Sequence, residues 1–259
     1  MLTALQVRDA LKAFQRTLVS PKAHEKGWEF SENDGHIESQ FKALLFGSAG
    51  LCGDQKVIDA AKAMFKDFAT GNKKAIHPNI RGSVYAIVLR NGGEEEYNTI
   101  LNEYHTAQDA DERNTALRSL GRVKDEKLIK RTLGLPLSDE VKGQDFYLPI
   151  AGLRNDGAGI QALYDFMKEN WTAIEKKCPP GLTMLSSIVQ ICTSGFTSEE
   201  QLKDVRAYFD GKSTKGFDRA LEQSSDSVRA KAGWLKRDRS DVEQWLQANE
   251  YLGKGNGKL

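Results

Sequence analysis

Apolar positions recur with a helical period along most of the chain. Side chains three or four positions apart share one face of an α-helix. Four such stripes are Val57, Ile58, Ala61, Phe65 and Phe68; Tyr97, Ile100, Leu101 and Tyr104; Ile160, Leu163, Tyr164, Met167 and Trp171; and Leu182, Leu185, Ile188, Val189 and Cys192. The strict alternation typical of β-strands is nearly absent. The pattern therefore predicts an all-α fold.

Helix start and stop signals fall between these stripes. Two candidate caps, in which side chains satisfy free amides at a helix start, are Thr197-Ser198 before Glu200-Gln201, and Ser240 before Glu243. Natural stops are Gly71, Gly121, Gly195 and Gly211. Helix starts then come roughly every 15 to 24 residues, so a helix pair recurs at about the 40-residue spacing of HEAT and armadillo repeats. An α-solenoid of antiparallel helix pairs and an irregular bundle both fit this spacing.

Composition narrows the class of protein. A chain of 259 residues with 39% apolar content can bury a substantial core. The net charge of +1 gives no indication of a nucleic-acid or membrane partner, and no apolar run reaches the roughly 20 residues that span a bilayer. Cys52, Cys178 and Cys192 are odd in number and lack Cys-x-x-Cys spacing, which predicts buried thiols in a reducing cytoplasm.

No catalytic constellation is evident. Two metal-binding histidines on one helix would be a turn apart, yet the only His-Glu pair, His24-Glu25, is followed by Lys26, Gly27 and Trp28 instead of a second histidine. Ser186, Ser187 and Ser194 belong to no recognisable nucleophile motif. The acidic run at 94–96 precedes Tyr97 and is interpreted as first-turn charges of a helix. The sequence predicts neither a metal nor a nucleophilic site.

Other polar and aromatic features favour structural roles. The four tryptophans stand among aliphatic residues at helical spacing, so core positions are favoured over a ligand platform; they are Trp28, Trp171, Trp234 and Trp245. The segment from Lys231 to Asp241 is basic but interrupted by acids, which indicates a solvated helix junction. Gly92-Gly93 and Gly157-Ala158-Gly159 are expected to form interhelical turns.

A family resemblance rests on several motifs in order. Ile76-His-Pro-Asn-Ile-Arg81 with Val84-Tyr85 resembles the C-terminal helical domain of zinc aminopeptidases related to the puromycin-sensitive and endoplasmic-reticulum enzymes. Further matching stretches are Leu18 to Trp28, Asp54 to Phe65, Arg113 to Gly121, Val141 to Asp145, Asn170-Trp171, Phe196 to Phe209 and Trp234 to Leu246. The resemblance favours the HEAT/armadillo-like solenoid. It assigns residues 1–252 to one helical-repeat domain, N-terminally truncated relative to the family, and leaves 253–259 as a disordered tail.

The resemblance implies a non-catalytic domain that encloses the active-site cleft and helps to orient peptide substrates. Zinc and its His-Glu-x-x-His helix would reside in the catalytic portion of the parent enzyme, and this chain itself would hold no cofactor. The expected partners are that catalytic portion and the peptide. A solenoid truncated at its N-terminal side exposes an apolar face, which predicts self-association. A stand-alone HEAT-like scaffold that binds a protein partner is the alternative.

Two arginines are the candidate substrate-binding residues. In the antigen-trimming relatives, arginines on the concave face are thought to meet the C-terminal portion of a long peptide. The corresponding positions here are Arg122, in Ser119-Leu-Gly-Arg-Val123, and Arg154, in Leu153-Arg-Asn-Asp-Gly157. Guanidinium groups pair bidentately with carboxylates, which suits this role. The alternative is that both arginines neutralise helix C-terminal carbonyls or form surface ion pairs.

Overall fold

The structure is a computed structural model that describes residues 4–181 and 183–252. Over those residues the chain forms thirteen α-helices and no strand, which confirms the all-α fold. They are α1 Ala4–Lys26, α2 His36–Leu51, α3 Gln55–Ala69, α4 Pro78–Asn91, α5 Glu94–Thr106, α6 Ala110–Ser119, α7 Glu126–Gly134, α8 Tyr147–Ala151, α9 Gly157–Glu169, α10 Trp171–Lys177, α11 Thr183–Thr193, α12 Glu199–Phe209 and α13 Asp218–Ala248. The predicted tail 253–259 and stripe residue Leu182 lie outside the described residues.

The chain divides into two compact units. Among the described residues, the first comprises residues 4–92 and 238–252. Within it, α2 packs against α1 and α4, and α4 also packs against α3. The predicted stripe of α3 is buried along its whole length. These apolar faces form the core of this unit.

The motif that begins at Ile76 has a structural role in the first unit. His77 Nδ1 accepts a hydrogen bond from the backbone amide of Asn79 at 3.2 Å and caps α4, whose first residue is Pro78. Ile80 and Tyr85 are buried further along the helix. Proline suits the first helical position because its missing amide hydrogen would have no partner there. The motif therefore starts a core helix.

The second unit runs from Gly93 to Arg237. In it, α6 packs against α5 and α8, α8 against α7 and α11, and α9 against α7 and α11. The predicted glycine stops are confirmed: Gly71, Gly121, Gly195 and Gly211 follow the ends of α3, α6, α11 and α12. The stripe ending at Trp171 is divided, because the helix breaks at Asn170 (φ −115°, ψ 17°) between α9 and α10.

One of the two predicted helix caps is confirmed and the other is wrong. Ser198 Oγ accepts from the backbone amide of Gln201, and Gln201 Oε1 accepts from the amide of Thr197, at the start of α12. Ser240 instead lies inside α13, where Glu243 pairs with Arg239 at 2.7 Å. Gly233 lies inside α13 before Ser240 but does not end it, so the helix continues. The predicted junction at 231–241 is therefore a continuous helix.

Two further expectations are corrected. Trp234 and Trp245 are not core residues, since 46% and 45% of their surface is exposed. Both lie on the 31-residue helix α13, and a helix of a globular protein buries only one face. Gly157 and Gly159 belong to the first turn of α9, capped by Asp156, and do not form a turn between helices. Gly92 and Gly93 do connect α4 to α5, as expected.

Candidate functional site

A close backbone contact brings two turns of the second unit together. The 3-10 turn Leu120–Arg122 follows α6, and the 3-10 turn Gly152–Asn155 follows α8. A Cβ atom added to Gly152 would lie 2.8 Å from both the carbonyl carbon and the oxygen of Gly121. A side chain at either position would overlap the opposite backbone, so glycine permits the approach. The two candidate arginines consequently lie on neighbouring turns.

Arg122 is a half-buried cation that has no partner among the described residues. Its guanidinium makes no hydrogen bond or ion pair with any residue in that part of the chain. Burial lowers the pKa of this guanidinium, although arginine stays charged at physiological pH. All five N–H donors of the side chain are therefore available to a ligand. A planar carboxylate could accept two of them at once.

Arg154 is held in place by one neutral contact. Its Nη2 donates to Ser194 Oγ at 2.8 Å, and Ser194 Oγ donates in turn to the Gln190 carbonyl at 2.6 Å. Ser194 is buried just after the end of α11. No carboxylate among residues 4–181 and 183–252 pairs with Arg154. Within the described chain, neither arginine forms an ion pair with a carboxylate or a hydrogen bond to a backbone carbonyl.

Lys231 of α13 reaches the same serine from another side. Its Nζ donates to the backbone carbonyl of Ser194 at 2.6 Å, and the side chain is half-buried. Burial, and then the nearby charge of Arg154, lowers the pKa of Lys231. Sequence reasoning missed this residue because nothing in the local sequence of α13 indicates a contact with Ser194. The spacing of basic residues along a helix gives no information about distant segments.

The described residues do not supply a metal site. Over residues 4–181 and 183–252, no group of three or more histidine, cysteine, aspartate or glutamate side chains could hold a metal ion. His24 pairs with Asp54 and His105 with Glu140, both at 2.9 Å. Cys52, Cys178 and Cys192 are buried free thiols. Zinc prefers a closed set of nitrogen, sulfur and oxygen ligands, so these residues do not fit it.

Arg154 and Lys231 therefore meet at Ser194 in the second unit, and Arg122 lies on the turn next to that of Arg154. None of the three has a carboxylate partner in the described part of the protein. Uncompensated cations of this kind favour binding of an anion, because the protein does not neutralise their charge. Water screens the half-buried Arg122 and Lys231 only in part.

Among the described helices, none is both long enough and apolar enough to cross a bilayer.

Comparison with known proteins identifies relatives over nearly the whole chain. The chain is 42% identical over 246 residues to "Aminopeptidase 2, mitochondrial" of Saccharomyces cerevisiae, covering 95% of this chain and 26% of the relative. It is 38% identical to the alanine/arginine aminopeptidase of the same yeast, covering 95% of this chain and 29% of the relative. Aminopeptidase M1-B of Oryza sativa subsp. japonica is 28% identical over 246 residues, covering 93% of this chain and 28% of the relative.

The chain therefore spans between a quarter and a third of the length of these curated relatives. A family model described as the ERAP1-like C-terminal domain matches residues 1–230. This match covers far more than half of the 259 residues and includes Arg122 and Arg154, while Lys231 directly follows its end. The chain belongs to the family of ERAP1-like C-terminal domains.

Proposed function

We propose that this chain is the non-catalytic C-terminal domain of a zinc-dependent aminopeptidase, where it encloses the active-site cleft and helps to orient peptide substrates. The family match and the names of the relatives support this assignment. The zinc and its ligands would belong to the catalytic portion, because the described residues here contain no suitable set of ligands. That catalytic portion is the principal partner in the proposal.

The close approach of the turns that carry Arg122 and Arg154 is the observation that supports the substrate-binding role. The two arginines lie on turns in close backbone contact, and neither is paired with a carboxylate among the described residues. A peptide that is bound at its amino end must place its far end elsewhere, and that end carries a carboxylate. Bidentate hydrogen bonds from guanidinium groups would hold it and limit its motion before reaction.

The packing order supports an α-solenoid for the second unit. In one series α6 packs against α8 and α8 against α11, and in a second α7 packs against α9 and α9 against α11. Stacked helix pairs of HEAT type produce this pattern, since each unit contacts mainly its neighbours. In the proposed arrangement, the turns that carry Arg122 and Arg154 face the peptide.

A cytoplasmic location is part of the proposal, since three buried free thiols suit a reducing compartment.

A chimeric enzyme tests the proposal. This chain would replace the matching region of yeast aminopeptidase 2, and zinc content and hydrolysis would be measured on purified protein. An active, zinc-containing chimera is expected, whereas the isolated chain should hydrolyse no aminoacyl-anilide. An inactive chimera whose two parts do not associate would contradict the proposal and favour an independent scaffold.

The arginines are tested in the same chimera with Arg122→Gln and Arg154→Gln. Both variants should raise KM for a long peptide with a free C-terminal carboxylate by about fivefold to tenfold and leave a short anilide unaffected. Arg118→Gln is the matched control, because Arg118 is exposed on α6 one turn earlier and makes no hydrogen bond or ion pair with a described residue. An equal effect on both substrates would argue against a role at the peptide's far end.

A further inference from the structure

Ser194 is the point at which two cations from separate segments meet. Arg154 donates to its side-chain oxygen at 2.8 Å, and Lys231 donates to its backbone carbonyl at 2.6 Å. Both charged groups therefore lie within a few ångströms of one buried serine. A serine hydroxyl and a carbonyl are neutral acceptors, so these contacts leave the two positive charges uncompensated.

Both cations retain free hydrogen-bond donors. An arginine side chain has five N–H groups and a lysine ammonium has three, and each residue makes one hydrogen bond, to Ser194, within the described chain. Neither side chain forms an ion pair with any carboxylate of the described residues. The charge of Arg154 acts directly on Lys231, since it contributes to the lowered pKa of that ammonium. An anion placed between them would relieve this repulsion.

The charge of the two cations at Ser194 exceeds what one carboxylate can neutralise. Arg154 and Lys231 together carry two positive charges, whereas the C-terminus of a peptide supplies one negative charge. An acidic side chain next to the C-terminus would supply the second. Because Lys231 is half-buried, its charge is screened less than that of a surface residue.

We propose that Lys231, together with Arg154, binds an acidic side chain of the peptide, so that the domain prefers peptides that carry aspartate or glutamate at or near the C-terminus. The inference rests on the proposed function, because it assigns the substrate class of the same site. Lys231 is then a specificity-determining residue for the peptide's far end. A lysine that only donates a hydrogen bond to the Ser194 carbonyl after α11 would stabilise the fold without discriminating between peptides.

Binding of labelled peptides to the purified chain tests this assignment. The peptides share one sequence and end in Glu or Gln, each with a free or an amidated C-terminus, and fluorescence anisotropy gives the Kd. The unmodified chain should bind the Glu acid about fivefold more tightly than the Gln acid. Lys231→Gln should abolish this preference and retain the effect of amidation. Lys231→Arg should restore the preference for the Glu acid.

Lys236→Gln is the matched control, since Lys236 is exposed on the same helix and makes no hydrogen bond or ion pair with a described residue. A Glu preference that survives Lys231→Gln would overturn the inference. Displacement of the Glu and Gln peptides to the same extent by inorganic phosphate would also overturn it, because that result would indicate a site for free anions. Sensitivity to amidation without a Glu preference would overturn this inference alone. Indifference to both changes would overturn the proposed peptide-binding role as well.

Discussion

His24 Nε2 lies 2.9 Å from Asp54 Oδ2, and this pair joins the end of α1 to the start of α3. Asp54 is only 5% exposed, caps α3 and accepts a hydrogen bond from the amide of Val57 at 3.1 Å. Burial would raise the pKa of this carboxyl group. The nearby Ser20 hydroxyl, the hydrogen bond from the Val57 amide and the contact with His24 outweigh burial, so the pKa is lowered overall. The ionised carboxylate therefore stabilises the folded chain.

The pH dependence of stability follows from the lowered pKa of Asp54. A carboxyl group whose pKa is lower in the folded state stabilises it fully above the unfolded pKa of about 3.9, and the contribution is lost as the pH falls through the folded pKa. Asp54→Asn should lower the free energy of unfolding by about 1 kcal/mol near neutral pH. The difference from the unmodified chain should shrink as the pH falls below about 4.

Urea denaturation over a series of pH values measures this difference. Asp59→Asn is the control, because Asp59 is exposed on the same helix and its contact with Gln55 can be kept by asparagine. A difference between Asp54→Asn and the unmodified chain that stays constant down to the lowest pH would contradict the assignment.

The contact between Gly121 and Gly152 predicts a local loss of stability. Gly152→Ala would place a Cβ 2.8 Å from the carbonyl group of Gly121, and backbone atoms cannot move aside as a flexible side chain can. We expect a loss of about 1–3 kcal/mol, the usual cost of overpacking. Denaturation should show no such loss for Gly134→Ala, since nothing lies within 4 Å of a Cβ at that position.

Peptide binding by the same variant tests whether this contact positions the arginines. Gly152→Ala should weaken binding of a peptide with a free C-terminal carboxylate at temperatures where the variant remains folded. Unchanged affinity in the folded variant would show that the spacing of the two turns does not control the site.

The two serine caps predicted from sequence should respond differently to the same substitution. Ser198→Ala should cost about 1 kcal/mol, because Ser198 caps α12. Ser240→Ala should raise stability by a few tenths of a kcal/mol, because this exposed serine lies inside α13 and alanine has the higher helix propensity. Thermal unfolding of both variants distinguishes the positions, and a comparable loss at Ser240 would indicate a helix start there.

An exposed apolar stripe on α2 predicts self-association of the isolated chain. Ile37, Phe41 and Leu44 share one face of this helix, and Ile37 and Leu44 are 83% and 65% exposed. In the proposed enzyme the catalytic portion would cover this stripe, and in its absence a second copy of the chain would do so. Leu44→Lys should lower the concentration-dependent rise in sedimentation coefficient. Gln55→Lys adds the same charge at an exposed position of α3 and should leave the rise in sedimentation coefficient unchanged.

Helical periodicity and capping chemistry are predictable from sequence because both act between residues that are near one another in the chain. The α3 stripe from Val57 to Phe68 is buried as predicted, and Ser198 caps α12. The motif around His77 indicates the family through its residue types and their order alone. Ser240 has the same local chemistry as Ser198 but does not cap a helix, because the helix has already begun at Asp218.

The sequence by itself therefore determined the all-α class, several helix ends, the lack of a recognisable catalytic motif, and Arg122 and Arg154 as candidates. Only the tertiary structure decided that these arginines lie on neighbouring turns without carboxylate partners among the described residues, and that Lys231 joins Arg154 at Ser194. The physical reason is distance along the chain. Contacts between α8, α11 and α13 depend on how helices pack, and no local pattern of residue types records that packing.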